Sequence, residues 1–304
     1  MAIHDSSIRR YLKAFIAVCA ACFLVSAQAD EPDPEIITIG VIPFEEIQLT
    51  AEKFKGVVSA IEKATGKKVE WFFPTSYASL IESQRRGFIH IGYYGPESYI
   101  KAHAISGGKI EAFAEAMWGG GDYRKKDDGY RSFIIVKADS PYKTLADLKG
   151  KNLALVNATS TSGNLIPRVE LGKQLNQKLG SYFNSVFYAG SHTASALAVL
   201  QGRAEAAAVA DVTLDWAVDK KEFDAKAFRI IWTSSKLPLD PFAWRTDLLS
   251  KGLRDKILGA LLNLKNTPEG REFLKKTRSD SVIKVSDDAY DGIRAVMKEH
   301  AAWE

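Results

Sequence analysis

The stretch Asn157-Ala158-Thr159-Ser160-Thr161-Ser162-Gly163-Asn164-Leu165-Ile166-Pro167-Arg168 joins an apolar run, 153–156, to a segment in which Leu171, Leu175 and Leu179 recur at helical spacing. The apolar run is typical of a buried strand. A strand that turns into a helix presents unpaired backbone N–H groups and the positive end of the helix dipole. With four hydroxyl side chains in a row, these donors predict an anion site that suits oxyanions such as phosphates. The alternative is an ordinary helix N-cap, for which one hydroxyl suffices.

The alternation of strand and helix continues on both sides of this stretch. Upstream, the apolar patterns predict strands at 36–42, 68–73, 88–94 and 110–114, separated by helices at 49–64, 76–86 and 97–105. From residue 130 on, they predict strands at 130–137, 153–157, 185–189, 204–210 and 228–232, with helices at 164–179, 192–201 and 212–219. Such an order predicts parallel pairing with helices on both faces of a sheet. A return strand at 242–245 and helices at 248–264, 268–277 and 287–303 complete the expected elements.

Two segments rich in turn-forming residues, 117–130 and 234–241, divide the pattern into two α/β units. We therefore expect lobe 1 to begin with 30–132, lobe 2 to span 133–234, and 235–304 to return to lobe 1 with C-terminal helices. Two such lobes predict a cleft between them. Ligands normally bind there, because the carboxyl ends of parallel strands and the following helix N-termini meet at such a crevice.

The N-terminus has the pattern of a secretory signal peptide. Arg9, Arg10 and Lys13 precede the apolar run 14–25, and the small-residue exit Ser26-Ala27-Gln28-Ala29 predicts cleavage after residue 29. Twelve apolar residues are too few to span a bilayer, which argues against a membrane anchor. A lipoprotein signal processed at Cys22 is an open alternative, although Cys19 stands three residues before it where a leucine is usual.

Composition excludes several classes of protein. Both cysteines, Cys19 and Cys22, lie inside the predicted signal, so the mature chain is expected to have no disulfide, thiolate metal site or cysteine nucleophile. Removing residues 1–29 leaves 38 basic and 36 acidic residues, a balance that does not suggest nucleic-acid binding. We expect a periplasmic location, a monomer, no cofactor and no metal.

Several short motifs, in order along the chain, resemble those of the solute-binding proteins of phosphonate, phosphite and phosphate ABC importers. The resemblance runs from about Thr38 to about Thr277. Its motifs are Ser76-Tyr77-Ala78-Ser79-Leu80-Ile81, Tyr93-Tyr94-Gly95-Pro96, the strand 130–136, Asp139-Ser140-Pro141, Ser160-Thr161-Ser162-Gly163, Gly190-Ser191-His192, and 239–245. The resemblance implies a type II periplasmic binding protein fold, with two α/β lobes hinged about a central cleft by two crossing segments.

The resemblance also implies which side chains hold the ligand. The phosphonate oxygens of such proteins contact a Ser-Thr-Ser loop, a histidine at the next helix start and tyrosines of the other lobe. In this sequence the matching residues are Ser160, Thr161, Ser162, His192, Tyr77 and Tyr130. Tyr94, at a predicted strand end, is expected to face the cleft as well. A protonated His192 would favour a doubly charged ligand and titrate near neutral pH.

Acidic residues hold the ammonium group in relatives that take aminoalkyl phosphonates. One matches Asp240, whereas the other, a glutamate in the best-known pattern, falls at about Val212 with Asp211 beside it. This departure argues against an aminoalkyl ligand. Asn164 is a second departure, because the residue after the loop glycine is often a histidine or an aromatic residue in this family. For Asp211 and Asp240 the alternative is a turn or cap aspartate.

The resulting hypothesis is a periplasmic solute-binding component of an ABC importer that delivers a phosphonate, phosphite or phosphate to an inner-membrane permease. One alternative is a periplasmic ligand sensor subunit for a membrane kinase, with the same fold and site. Another is a serine-dependent hydrolase built from Ser160, His192 and an aspartate. The chain has no G-x-S-x-G elbow, and four adjacent hydroxyls suit anion binding better than a single nucleophile.

Overall fold

Two mixed β-sheets form the framework of the protein in the computed structural model, which describes residues 33–45, 47–127 and 129–303. The predicted signal peptide, with Cys19 and Cys22, lies outside the described residues. Helices pack against the sheets, so that the architecture is α/β as the strand and helix order predicts.

The first sheet has the strand order β2-β1-β3-β10-β4-β11. β1 pairs in parallel with β2 and β3, as the sequence pattern predicts, whereas β10 and β11 are antiparallel to their neighbours. Its strands are β1 (Ile36–Val41), β2 (Lys68–Phe72), β3 (Ile91–Tyr93), β4 (Ile110–Trp118), β10 (Pro241–Arg245) and β11 (Ser279–Lys284).

The second sheet has the order β7-β6-β8-β5-β9. β6 pairs in parallel with β7 and β8, and β5 is antiparallel to β8 and β9. Its strands are β5 (Ser132–Lys137), β6 (Asn152–Leu155), β7 (Ser185–Tyr188), β8 (Ala206–Ala210) and β9 (Phe228–Thr233). All five side chains of β8 are buried, which is expected for a central strand that is covered on both faces.

Ten helices longer than a single 3-10 turn cover these sheets within the described part of the chain, which also has 3-10 turns at Ala146–Leu148, Leu264–Asn266 and Asp287–Tyr290. The helix α4 is wound as a π-helix through Thr161–Leu165 and Pro167–Leu171 and as an α-helix through Gly172–Leu175. The others are α1 (Ile47–Thr65), α2 (Tyr77–Arg85), α3 (Pro96–Ile105), α5 (Leu179–Tyr182), α6 (His192–Leu200), α7 (Asp211–Asp219), α8 (Lys251–Leu262), α9 (Pro268–Lys276) and α10 (Asp291–Trp303).

The chain passes between the two sheets twice, after β4 and again after β9. The two passing segments pair with each other: Tyr130 N donates to Leu237 O at 3.0 Å, and Leu237 N donates to Tyr130 O at 2.8 Å. This two-residue ladder ties the connections side by side. We refer below to the first sheet and its helices as lobe 1 and to the second sheet and its helices as lobe 2.

Residues at the strand ends determine where the helices begin. Ser76 and Ser79 form a reciprocal capping box at the start of α2, and Pro96 occupies the first turn of α3, where a missing N–H costs nothing. Ser191 caps α6 by accepting a hydrogen bond from Ala194 N at 3.1 Å. Each of these helices therefore starts directly beyond a parallel strand, at the same edge of its sheet.

Three expectations from the sequence were wrong in detail. The predicted helix 164–179 ends earlier, because Asn176 adopts the left-handed conformation with φ 50° and ψ 32°, so that Leu179 begins a separate helix. The segment 117–130 is not all loop, since β4 extends to Trp118. The strand β11 was missed; only Val282 in it is buried, which leaves a weak apolar signal.

No helix among the described residues has both the length and the apolar character that crossing a membrane requires.

The helix end at Asn176 can be tested by substitution. A β-branched residue tolerates the left-handed region poorly, so Asn176→Val should lower the free energy of unfolding by about 1 kcal/mol. Asn176→Gly should leave it unchanged or raise it slightly, because glycine adopts this conformation freely. Urea denaturation followed by circular dichroism measures both, and equal effects of valine and glycine would contradict the assignment.

Candidate functional site

The start of α4 is built from tightly packed small and hydroxyl residues. Ser160 Oγ accepts a hydrogen bond from Gly163 N at 3.1 Å, and Ser132 Oγ on β5 donates to Ser162 O at 2.5 Å. A Cβ atom at position 163 would lie 2.3 Å from Val156 Cγ2, so only glycine fits there. The Ser160-Thr161-Ser162 loop is therefore held rigidly, with all three residues buried.

This loop lines a cleft together with residues of both lobes. The cleft contains about 350 Å³ of empty space, its mouth included. Five helix starts border it: Tyr77 of α2, Gly95 before α3, Ser160 before α4, His192 of α6 and Ala210 before α7. Helix starts carry unpaired N–H groups and partial positive charge, so their convergence favours an anion. The lining residues are Ile42, Phe44, Tyr77, Gly95, Trp118, Tyr130, Ser160, Thr161, Ser162, His192, Ala210, Val212, Thr213, Trp216 and Asp240.

Seven of the nine predicted site residues lie in this one cleft: Tyr77, Tyr130, Ser160, Thr161, Ser162, His192 and Asp240. The fourth hydroxyl of the row, Thr159, is not part of the lining, and its Oγ1 donates to Asn157 Oδ1 at 3.2 Å instead. Tyr94 and Asp211 also lie elsewhere.

The tyrosine hydroxyls of lobe 1 and of the first crossing segment meet the serine loop of lobe 2. Tyr77 is 1% exposed and close to Ser160, yet its Oη has no hydrogen-bond partner within the described part of the chain. Tyr130 lies beside Ser162 and Thr161. Burial raises the pKa of both phenols, so each keeps its proton and can donate it. An unpaired buried hydroxyl is costly, which makes Tyr77 a donor that lacks an acceptor.

His192 is neutral, and its proton position follows from one contact. Ala210 N donates to His192 Nδ1 at 3.0 Å, so Nδ1 carries no proton and Nε2–H is the donor. Burial lowers the pKa of His192 to about 3. The expectation of a histidine that titrates near neutral pH was therefore wrong, because the ring is desolvated and a backbone N–H occupies its second nitrogen.

Asp240 lies in the cleft near Thr161. A Cβ atom placed on Gly95 would lie 3.6 Å from Thr161 Oγ1 and 3.8 Å from Asp240 Oδ1, so the two side chains flank the same glycine. Burial raises the pKa of Asp240 well above its ordinary value, and the carboxylates of Glu115 and Asp211 raise it further. A protonated Asp240 can donate a hydrogen bond and does not repel an anion.

The prediction for Tyr94 was wrong. Its Oη donates to Gln84 Oε1 at 2.5 Å, and Gln84 Nε2 in turn donates to Ala243 O at 2.9 Å. The ring packs over Gly92, where a Cβ atom would come within 2.3 Å of it. The next residue, Gly95, lines the cleft. Because successive residues of an extended chain point to opposite sides, Tyr94 faces α2 instead.

Asp211 is likewise held away from the lining. Its Oδ1 accepts a hydrogen bond from Val212 N at 2.7 Å, its Oδ2 accepts one from Arg131 N at 3.1 Å, and Arg124 Nε lies 3.9 Å from Oδ2. Burial raises the pKa of Asp211 to about 7, although Arg124 and the backbone donors act in the opposite direction. Asp211 is the first residue of α7, whose N-cap is Ala210 without a side-chain cap, and its carboxylate ties the first crossing segment to this helix.

An aromatic wall of the cleft was missed by sequence reasoning. Trp118 of β4 and Trp216 of α7 pack edge to face at 5.7 Å, and Phe44 lies 5.2 Å from Trp216. Val212 belongs to the same wall. Helical spacing places Val212 and Trp216 on one face of α7, a signal that was present in the sequence. Trp118 gave no such signal, because it ends a strand that was expected to stop at residue 114.

The fold and this cleft define a class of protein. Two α/β lobes joined by two crossing segments, with helix starts and hydroxyl donors converging between them, are the features of a type II periplasmic binding protein. Structures of this class share the fold: a binding protein component of an ABC phosphonate transporter from Pseudomonas aeruginosa superimposes with a TM-score of 0.80 at 23% identity, over 89% of this chain and 87% of that one.

The family follows from the sequence comparison. The model of the family described as ABC transporter, phosphonate, periplasmic substrate-binding protein matches residues 39–290, and the chain belongs to this family. It is 31% identical to the Phosphonates-binding periplasmic protein of Escherichia coli, over 86% of this chain and 76% of that protein. It is 28% identical to the Phosphate-import protein PhnD of Mycolicibacterium smegmatis, over 92% and 94% of the two chains.

The protonation state of His192 provides a test of the site geometry. Because the pKa of His192 lies below its ordinary value, the ring should stay neutral with the proton on Nε2 from pH 8 to pH 5. As the pH falls from about 6.5 towards 3, the histidine of the unfolded chain takes up a proton that the folded chain does not, so the free energy of unfolding should decrease. Nitrogen-15 NMR of histidine-labelled protein, with His192→Asn to assign the signal, measures this. A midpoint near 6.5 would contradict the assignment.

Proposed function

We propose that the cleft binds a small phosphorus oxyanion, a phosphonate, phosphite or phosphate, and that the protein delivers it to an inner-membrane ABC permease. The observation that carries this proposal is the convergence of five helix starts with the hydroxyls of Tyr77, Tyr130 and Ser160-Thr161-Ser162. Such donors give short, charge-assisted hydrogen bonds to an oxyanion. Membership of the phosphonate-transporter family supports phosphorus as the central atom of the ligand.

The charges at the cleft fit an anion that retains a proton. None of its lining residues is a lysine or arginine, so backbone dipoles and neutral donors supply the attraction. Asp240, whose pKa is raised by burial, can donate to an unprotonated oxygen or, once ionised, accept from a P–OH group. Monoprotonated phosphorus oxyanions carry both an unprotonated oxygen and a P–OH group at neutral pH.

The site does not support the hydrolase alternative. A general base must face the nucleophile with a free nitrogen lone pair, but Nδ1 of His192 accepts from Ala210 N and Nε2 carries the proton. Asp211, the first candidate for the third member, contacts Arg124 and backbone N–H groups rather than the histidine. A binding protein without a catalytic role fits these contacts, and the family consists of substrate-binding proteins.

Closure of the lobes around the ligand is the proposed mechanism. Glu97 N at the start of α3 in lobe 1 donates to Thr161 Oγ1 of lobe 2 at 2.8 Å. Contacts of this kind exist only when the lobes are together, so a ligand that touches the same loop shifts the population towards the closed form. The expected periplasmic location agrees with that of the family.

Thr161 should contribute to anion affinity through its hydroxyl. Thr161→Val should weaken the binding of the tightest ligand by at least about 1.5 kcal/mol, as expected for a hydrogen bond to a charged group, whereas Thr161→Ser should restore most of the affinity. Calorimetry against phosphate, phosphite, methylphosphonate and sulfate measures the effect. Thr159→Val, in the same loop but outside the cleft, serves as the control and should leave the affinity unchanged. Unchanged affinity in Thr161→Val would refute the proposal. So would a wild-type protein that binds no phosphorus oxyanion.

Tyr77 and Tyr94 should behave in opposite ways when each loses its hydroxyl. Tyr77→Phe should lower affinity by about 1.5–3 kcal/mol without loss of stability, because the buried Oη has no partner in the protein. Tyr94→Phe should keep the affinity but lower the free energy of unfolding by about 1 kcal/mol, because Gln84 Oε1 loses its donor. Calorimetry and denaturant titration of both variants test this, and the reverse pattern would contradict the geometry.

A further inference from the structure

We propose that the aromatic wall of the cleft receives the substituent on phosphorus, and that Lys53, packed against this wall from outside the lining, restricts the substituent to uncharged groups such as hydrogen or a small alkyl chain. This inference rests on the proposed function, because it concerns the part of the same ligand that the oxyanion donors do not contact. It assigns a specificity role to a residue that does not itself line the cleft.

Lys53 lies over one indole ring of the wall, on the side away from the lining. Its Nζ lies 3.8 Å from the ring centre of Trp216 and 5.4 Å from that of Phe44, and both rings line the cleft. Lys53 is only 3% exposed. Aromatic rings attract ammonium groups through their faces, so a ring that already carries one buried cation attracts a second one poorly.

The charges around Lys53 keep it in place and largely protonated. Glu45 lies 2.9 Å from Lys53 Nζ and also contacts Lys220. The charge of Glu222 stabilises protonated Lys53 as well, but more weakly than Glu45 does. Burial lowers the pKa of Lys53 to about 8, so most of the population is still charged at pH 7. Replacing Lys53 leaves Glu45 paired with Lys220, so the substitution does not leave an unpaired buried carboxylate.

A second cation lies against the other indole of the wall. The guanidinium carbon of Arg124 lies 5.7 Å from the ring centre of Trp118, and Arg124 is 2% exposed. The acidic residue of the lining, Asp240, flanks Gly95 together with Thr161 and Ile42. The wall therefore combines Phe44 and Val212 with two indoles that already carry cations, a surface suited to an apolar substituent.

The two sides of the cleft thus sort the ligand. Hydroxyls and helix starts take the tetrahedral head, and the aromatic wall takes what is attached to it. An ammonium at the end of a short chain would lose its hydration there and face Lys53, whereas a methyl group of the same size would gain apolar contact. Rejection of the charged analogue is specificity by repulsion.

Isosteric pairs of ligands test the inference with the full mature chain. Ethylphosphonate and aminomethylphosphonate differ only in CH₃ against NH₃⁺, as do propylphosphonate and 2-aminoethylphosphonate. By calorimetry, the wild type should bind the alkyl member of a pair at least about tenfold more tightly. Lys53→Met should lower this affinity ratio by roughly fivefold or more, because it removes the positive charge over Trp216. Lys53→Arg keeps the charge and should preserve the ratio. A general loss of binding strength affects both ligands of a pair and cancels in the ratio.

Each outcome separates the inference from the proposed function. A wild type that binds the ammonium member as tightly as the alkyl member, or a ratio unchanged in Lys53→Met, overturns the inference while phosphorus oxyanion binding stands. Tight binding of methylphosphonate without any binding of ethylphosphonate also overturns it, because the wall would then not face the substituent. If Lys53→Met does not fold, as judged by thermal denaturation, the wild-type ratios alone decide. No binding of methylphosphonate, phosphite or phosphate by the wild type removes the proposed function itself.

Discussion

The meeting of five helix starts at one cleft is the constraint on which the rest of the structure depends. An α-helix leaves its first N–H groups without internal partners, and burying such groups unpaired costs free energy. Parallel strands in both sheets send their following helices away from the same edge, so five such starts come together around Tyr77, Gly95, Ser160, His192 and Ala210. Under the proposed function, one anion contacts several of these helix starts at once, whereas any single cap serves only its own helix. The topology of the fold therefore favours a ligand of negative charge.

The positive side chains of this region lie behind the cleft rather than in it. Lys53 and Arg124 are buried against Trp216 and Trp118, and neither belongs to the lining. Fixed neutral donors define geometry more strictly than a flexible ammonium does, because each hydrogen bond must point at an oxygen. A lysine in the lining would attract any anion, while hydroxyls and helix starts select the tetrahedral arrangement of acceptors. With the cations behind aromatic rings, the proposed recognition in the cleft depends on fixed donors and on shape.

The sequence revealed the donors because their pattern is local. Ser160 and His192 each stand where an apolar run meets a helical period, and the structure places both in one cleft. The failures have a different cause. Tyr94 lies one residue beyond β3 and points towards Gln84 of α2 rather than into the cleft. Asp211 contacts Arg124, which belongs to a charged, glycine-rich segment that was expected to be a solvated loop. Side-chain direction at a strand end and partners that are distant in sequence depend on tertiary packing, which short-range periodicity does not contain.

The contacts between the lobes give a physical basis for the proposed coupling of binding to closure. Thr161 Oγ1 accepts from Glu97 N across the cleft and can still donate its own proton to an oxyanion, so one hydroxyl serves both events. Glu45 of lobe 1 contacts Lys220 of lobe 2 and holds Lys53 over Trp216, so one ion cluster joins the two lobes beside the aromatic wall. Opening must break these contacts together. A ligand that adds hydrogen bonds to Thr161 therefore stabilises the closed form in proportion to the contacts it makes only there, which is the condition for a population shift.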